Sequence, residues 1–122
     1  MSQNNFFVTG VGTDIGKTFV TAGLARRAID AGIKTALVKP VQTGTDDYPP
    51  DVVTIARLVD GLYPLPREIA IPFEFKFAAS PHLAAQREGR ALITADIVAA
   101  CRRAEQTPGP ELLLFEGAGG LI

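Results

Sequence analysis

Short apolar runs alternate along this chain with longer stretches in which apolar residues return every three or four positions. Phe6-Phe7-Val8-Thr9 is apolar and β-branched and reads as a buried strand. After a loop at 10–16, residues 18–31 place Val20, Leu24, Ala28 and Ala31 near helical spacing, leave Arg26 and Arg27 to face water, and stop at Gly32. Thr35-Ala36-Leu37-Val38 is a second strand, closed at Lys39-Pro40 because proline drives the residue before it to an extended conformation. The turn formers QTGTDDYPP (42–50) follow, and Asp51 then starts or caps a helix through Val52, Ile55, Ala56 and Val59. Pro64, Pro66 and Pro72 mark a connection to Phe73, Phe75 and Phe77, an alternation that suits a strand or extended segment with its rings packed inward. Ser80-Pro81 has the form of an N-cap with proline at the first helical position. Residues 94–105 read as another helix and Glu111-Leu-Leu-Leu-Phe115 as another buried strand.

Strand, helix, strand, helix, helix, strand predicts one α/β domain over residues 1–122, a parallel sheet with helices on both faces in the manner of P-loop NTPases. Ligands of such sheets gather at the carboxyl ends of the strands. Here those ends carry the loop 10–16, the pair Lys39-Pro40, and Glu116 with its glycines. The last strand and its glycine-rich exit lead directly to Leu121-Ile122, so the sequence reads as the first part of a larger domain.

Composition narrows the partners. At 122 residues, 47% hydrophobic and 20% charged, the chain has material for a core. A formal net charge of −1 gives no electrostatic reason to expect nucleic acid or an anionic membrane as a partner. No run approaches the roughly 18 apolar residues of a membrane span. The start MSQNNFFVTG lacks the basic and apolar regions of a signal peptide, and the single Cys101 has no internal disulfide partner, so a cytoplasmic location is expected. Cys101, in a helical run, reads as a half-buried small hydrophobe.

The loop TGVGTDIGKT carries the chemistry. Phosphate binding needs glycines that let backbone amides turn inward, a lysine for the β and γ oxygens, and a hydroxyl for Mg²⁺; Gly16, Lys17 and Thr18 meet the last requirements. The standard spacing would put a glycine at Val11, whereas this chain has Gly10 and Gly12, so the motif is a variant P-loop. Read as a dinucleotide fingerprint it fails, because the spacing is GxGxxxG and Lys39 stands where a ribose-binding acid would be needed. Mg²⁺ also takes carboxylates. Glu116, after four apolar residues, sits where a Walker-B acid belongs, and Asp51 is a second candidate, in competition with Asp46, Asp47 and a plain capping role. Lys39, at a strand end, would point a cation at a phosphoryl group or substrate carboxylate, surface solvation being the alternative. His82, the only histidine, has no triad or metal-ligand spacing around it and reads as structural.

FFVTGVGTDIGKT, VKPVQTG (38–44), Asp51 ahead of its helix, SPHLAAQREGR (80–90) and LFEGAGG (114–120) occur in one order, and together they resemble the dethiobiotin synthetase family. The resemblance covers residues 6–120 but only about the first half of a family member, whose base-recognition residues and part of whose substrate pocket, at a homodimer interface, would follow Ile122. It implies ATP and Mg²⁺ as cofactors, 7,8-diaminopelargonate and CO₂ as substrates, and a homodimer. By resemblance, Lys17 is the phosphate lysine, and Thr18, Asp51 and Glu116 are the metal-associated oxygens. Lys39 is the active-site lysine, Thr43 the substrate-contacting hydroxyl residue, and Thr13 lies beside carbamate and phosphates. Asp14, Ile15, Gly16, Phe19, Gly117, Ala118 and Gly119 complete the expected ATP-contacting set. Val11 stands where the family often has Thr. The competing class is a partner-driven dimeric P-loop ATPase, which would carry a further lysine early in the loop; none occurs between Gly10 and Ile15.

Overall fold

A computed structural model of the chain describes residues 4–8, 14–45 and 49–117. Along these run β1 (Asn4–Val8), α1 (Asp14–Asp30), β2 (Thr35–Val38), β3 (Val41–Gln42), α2 (Asp51–Leu58), α3 (Arg67–Ala70), β4 (Phe73–Glu74), α4 (Pro81–Arg87), α5 (Thr94–Glu105) and β5 (Leu112–Glu116). The main sheet is parallel in the order β1-β5-β2, so the last strand lies in the middle, and every residue of β5 is buried. A continuous Leu-Leu-Leu-Phe run suits that place, because a central parallel strand has apolar neighbours on both faces.

The two faces can be told apart residue by residue. Leu112, Leu114 and Leu37 pack with Ala22 and Ala25 of α1 and with Ile55 and Val59 at α2. Leu113, Phe115, Ala36 and Val38 pack with Ala104 of α5, and Ile69 of α3 and Cys101 join them. This is the period-two alternation of a sheet with helices on both sides. A smaller parallel pair, β3 with β4, builds a third cluster in which Val41 and Phe75 meet Ala84 and Ala85 of α4.

Several local readings hold. Gly32 ends α1 in a left-handed conformation (φ 80°), with its N–H on Ile29 O (2.9 Å) and the Ile33 N–H on Ala28 O (3.0 Å), the paired bonds of a Schellman cap. Pro81 opens α4 behind Ser80, although the Ser80 side chain makes no capping bond. Cys101 is a partly buried free thiol, and burial pushes its pKa up. Among the described residues no helix is long and apolar enough to cross a membrane.

Other readings need correction. β1 is an edge strand with only Val8 buried; Phe6 and Phe7 are each 60% exposed, because among the described residues only β5 pairs with it. On α1 the inward stripe is Thr21, Ala22 and Ala25, while Val20 and Leu24 face outward. Small residues let the helix approach the sheet closely, and an apolar ring of residues around a helix hides which side does so. Ala56 is exposed, and α2 gives way at Val59 to extended backbone. Of the alternating phenylalanines only Phe75 is fully buried, β4 stops at Glu74, and Phe77 lies under the Arg87 guanidinium at 4.8 Å. Helix α3 and strand β3 were not anticipated.

Replacing Leu113, fully buried in β5, with alanine is expected to cost about 2–5 kcal/mol in urea unfolding. Leu24→Ala on the outward side of α1 should cost about 0.5 kcal/mol or less. Equal losses at the two positions would show that α1 turns its Leu24 side to the sheet.

Candidate functional site

Parallel register brings the two most informative residues together. Val38 of β2 lies opposite Phe115 of β5, so the next residues along, Lys39 and Glu116, stand side by side. Val38 and Phe115 face α5; alternation therefore turns Lys39 and Glu116 to the other face, where α1 and α2 lie. Helix α1 brings Thr18 to that place and α2 brings Asp51, its first residue.

The contacts close around one ammonium group. Lys39 Nζ donates to Asp51 Oδ2 at 2.8 Å, to the Gly117 carbonyl at 2.9 Å and to Glu116 Oε1 at 3.5 Å. Thr18 Oγ1 donates to the same Glu116 oxygen at 3.3 Å. Lys39 is 1% exposed and Glu116 3%, which excludes plain surface solvation for this lysine. The Lys39 backbone is also held, its N–H donating to Ala70 O at the end of α3 (2.7 Å), and Gly117 N–H is bonded to Val8 O of β1 (3.0 Å). Lys17 is buried near the start of α1, and its carbonyl accepts the Thr21 hydroxyl at 2.8 Å. The start of α1 lies beside the cluster, and a helix start is a usual place for anion binding.

Two carboxylates compete for one nearby cation, and Asp51 has the shorter contact. Burial therefore dominates at Glu116 and pushes its carboxyl from 4.5 up to about 7; Lys39 pulls the other way, Asp51 adds to the rise, and the hydrogen bonds from Lys39 and Thr18 oppose it. The carboxylate pair with the Thr18 hydroxyl is a set of hard oxygen donors, the kind Mg²⁺ takes in small number alongside phosphates and water. Among the described residues no group of three or more His, Cys, Asp or Glu could hold a metal by itself.

The predicted residues distribute clearly. Thr18, Lys39, Asp51, Glu116 and Gly117 converge on this cluster. The competing reading of Asp51 as a cap fails: Pro50 holds the N-cap position of α2, no side chain caps there, and the Asp51 carboxylate is on Lys39. Asp14, Ile15 and Gly16 open α1, and Phe19 follows with its ring 64% exposed. Thr43 follows β3 and is half-buried. Thr13, Ala118, Gly119, Asp46 and Asp47 lie outside the described residues, as do Gly10 and Gly12. His82 is exposed on α4. Two anchors had no signal in the sequence: the Ala70 carbonyl behind Lys39, and the side chain of Gln42, which accepts the Asp51 backbone N–H at 2.9 Å.

A protein family described as an AAA domain matches residues 4–122. The chain belongs to that family. The resemblance to dethiobiotin synthetase is shown as well. An ATP-dependent dethiobiotin synthetase BioD of Methylobacterium nodulans is 40% identical over 98% of this chain and 57% of its own length. That of Marinobacter nauticus is 36% identical over 98% of the chain and 52% of its own length. The protein of the same name from Rhodococcus erythropolis is 42% identical over 96% and 50%. The chain thus spans about half the length of the curated relatives it matches.

A carbon-detected titration of Glu116 should have its midpoint near 7 rather than the usual 4.5. The folded protein then holds this proton more tightly than the unfolded chain does. Glu116 therefore adds stability at low pH that is lost as pH rises from 4.5 to about 7. A midpoint near the ordinary carboxylate value would show that the Lys39 contact outweighs burial.

Proposed function

We propose that this chain forms the phosphate-binding and phosphoryl-transfer part of a dethiobiotin synthetase, acting on 7,8-diaminopelargonate, CO₂ and ATP. The observation that carries the reading is the buried Lys39 ammonium held among Asp51, Glu116 and Gly117 at the strand ends, beside the start of α1. The relatives' shared name, ATP-dependent dethiobiotin synthetase, supplies the reaction.

In this reading one amine of the substrate adds to the carbon of CO₂ and loses a proton, giving a carbamate. A carbamate oxygen attacks the γ-phosphorus of ATP, the bond to ADP breaks, and a carbamic-phosphoric anhydride forms. The second amine attacks the carbonyl carbon, phosphate leaves, and the cyclic urea closes. A carbamate is already an anion, so no strong general base is needed and the chemistry is mainly positioning and charge neutralisation.

The residues divide the work accordingly. Lys17, near the start of α1, meets the β and γ oxygens together with the helix's first amides. Lys39 sets its ammonium beside the carbamate and the moving phosphoryl group. Thr18, Asp51 and Glu116 would hold Mg²⁺, which when bound offsets the charge of the transferring phosphates. The same reading places Thr43 on the substrate, Thr13 beside carbamate and phosphates, and a second copy of the protein across the active site as a homodimer.

Phosphate release from ATP, Mg²⁺ and bicarbonate should depend on 7,8-diaminopelargonate, and Lys17→Ala should lower it about a hundredfold or more. Release that proceeds equally without the diamine would point instead to a partner-driven ATPase. An absence of release in both arms, from this chain and from one extended past Ile122, would overturn the assignment.

A further inference from the structure

Gln42, in VKPVQTG, is buried, and both ends of its side-chain amide are engaged. Its Oε1 accepts the Asp51 backbone N–H at 2.9 Å, and its Nε2 donates to the Thr43 carbonyl at 2.9 Å. The orientation of the amide is unambiguous. Turning it over would set its NH₂ against an N–H and its oxygen against a carbonyl.

The bond to Asp51 answers a local need. Helix α2 is preceded by Pro50, which has no side-chain acceptor, and no side chain caps from the N-cap position. Its first N–H groups lack partners within the helix, and Gln42 supplies an acceptor to one of them from nine residues away. Gln42 is itself well anchored: its carbonyl accepts the Phe75 N–H at 2.8 Å, and β3 is paired with β4. A short ring results. Lys39 pairs with Asp51, Asp51 is tied to Gln42, and Gln42 returns to Lys39 through Val41 and Pro40.

We propose that Gln42 is a positioning residue of the site, a remote cap that holds the first turn of α2 so that the Asp51 carboxylate stays on Lys39. Resting on the function proposed above, it would also set Asp51 for Mg²⁺ bound with ATP. The same amide fixes the Thr43 carbonyl and so the backbone from which the Thr43 side chain projects.

The test compares the unaltered protein with Gln42→Met, which keeps the shape and loses both hydrogen bonds, and Gln42→Glu, which keeps the acceptor. In the nucleotide-free protein, Gln42→Met should speed hydrogen exchange at the Asp51 amide about three- to tenfold while leaving the amides of β5 unchanged. The Lys39 side-chain ammonium signal, visible when its protons are held in hydrogen bonds, should broaden. Gln42→Glu should restore protection of the Asp51 amide. In ATP binding titrated with Mg²⁺, Gln42→Met should raise the half-saturating Mg²⁺ about three- to tenfold without changing metal-free ATP affinity.

Unchanged exchange at Asp51 and an unchanged Lys39 signal in Gln42→Met would overturn the positioning role. So would a general loss of protection throughout the sheet, which marks a merely structural residue. Changes at Asp51 and Lys39 with an unaltered Mg²⁺ midpoint would overturn the link to the metal alone. Should the unaltered protein bind no ATP, the function proposed above fails, while the exchange and ammonium measurements still decide what Gln42 does.

Discussion

The structure turns on one buried ammonium group. Taking a lysine head out of water costs several kcal/mol, and the cost is offset only where geometry supplies close anionic and carbonyl partners. Lys39 has three of them, on α2, at the end of β5 and on Gly117. Gly117 in turn is bonded to the end of β1, and Lys39's own backbone is bonded to the end of α3. Removing the cation would leave two carboxylates facing each other in a poorly solvated place.

That requirement is met because the sheet is parallel and in register. With Val38 opposite Phe115, Lys39 and Glu116 must be neighbours, and alternation must turn both to the face that carries α1 and α2. A slip of one residue on either strand would send one of the two to the α5 side, among Ala104 and its apolar neighbours. The apolar alternation of β5 and β2 therefore does more than fill the core. It fixes which charges meet at the strand ends.

The cluster is also poised electrostatically. One lysine faces two carboxylates, and burial raises the Glu116 pKa to about 7. A further cation bound against these oxygens would drive that proton off and hold Glu116 ionised.

Much of this was legible beforehand. Apolar runs and helical spacing marked β1, β2, β5, α1, α2 and α5, and Lys17, Thr18, Lys39, Asp51 and Glu116 declared themselves by standing at strand ends or helix starts. Those readings depend on local patterns, and local patterns are written in neighbouring residues. Burial is not. Whether Phe6 and Phe7 are covered depends on what lies beside β1, and whether α1 turns Ala22 or Leu24 inward depends on how closely the sheet lets it approach. The caps are equally remote: Ala70 behind Lys39 and Gln42 behind Asp51 act across gaps of 31 and 9 residues, so nothing near either residue announces its partner. By itself the sequence determined the strands of the main sheet, the helices that flank it and the candidate residues for phosphate chemistry. Only the tertiary structure decided which of those residues share one buried cluster and what holds them there, because hydrogen bonds and ion pairs between distant segments exist only once the sheet has set its register.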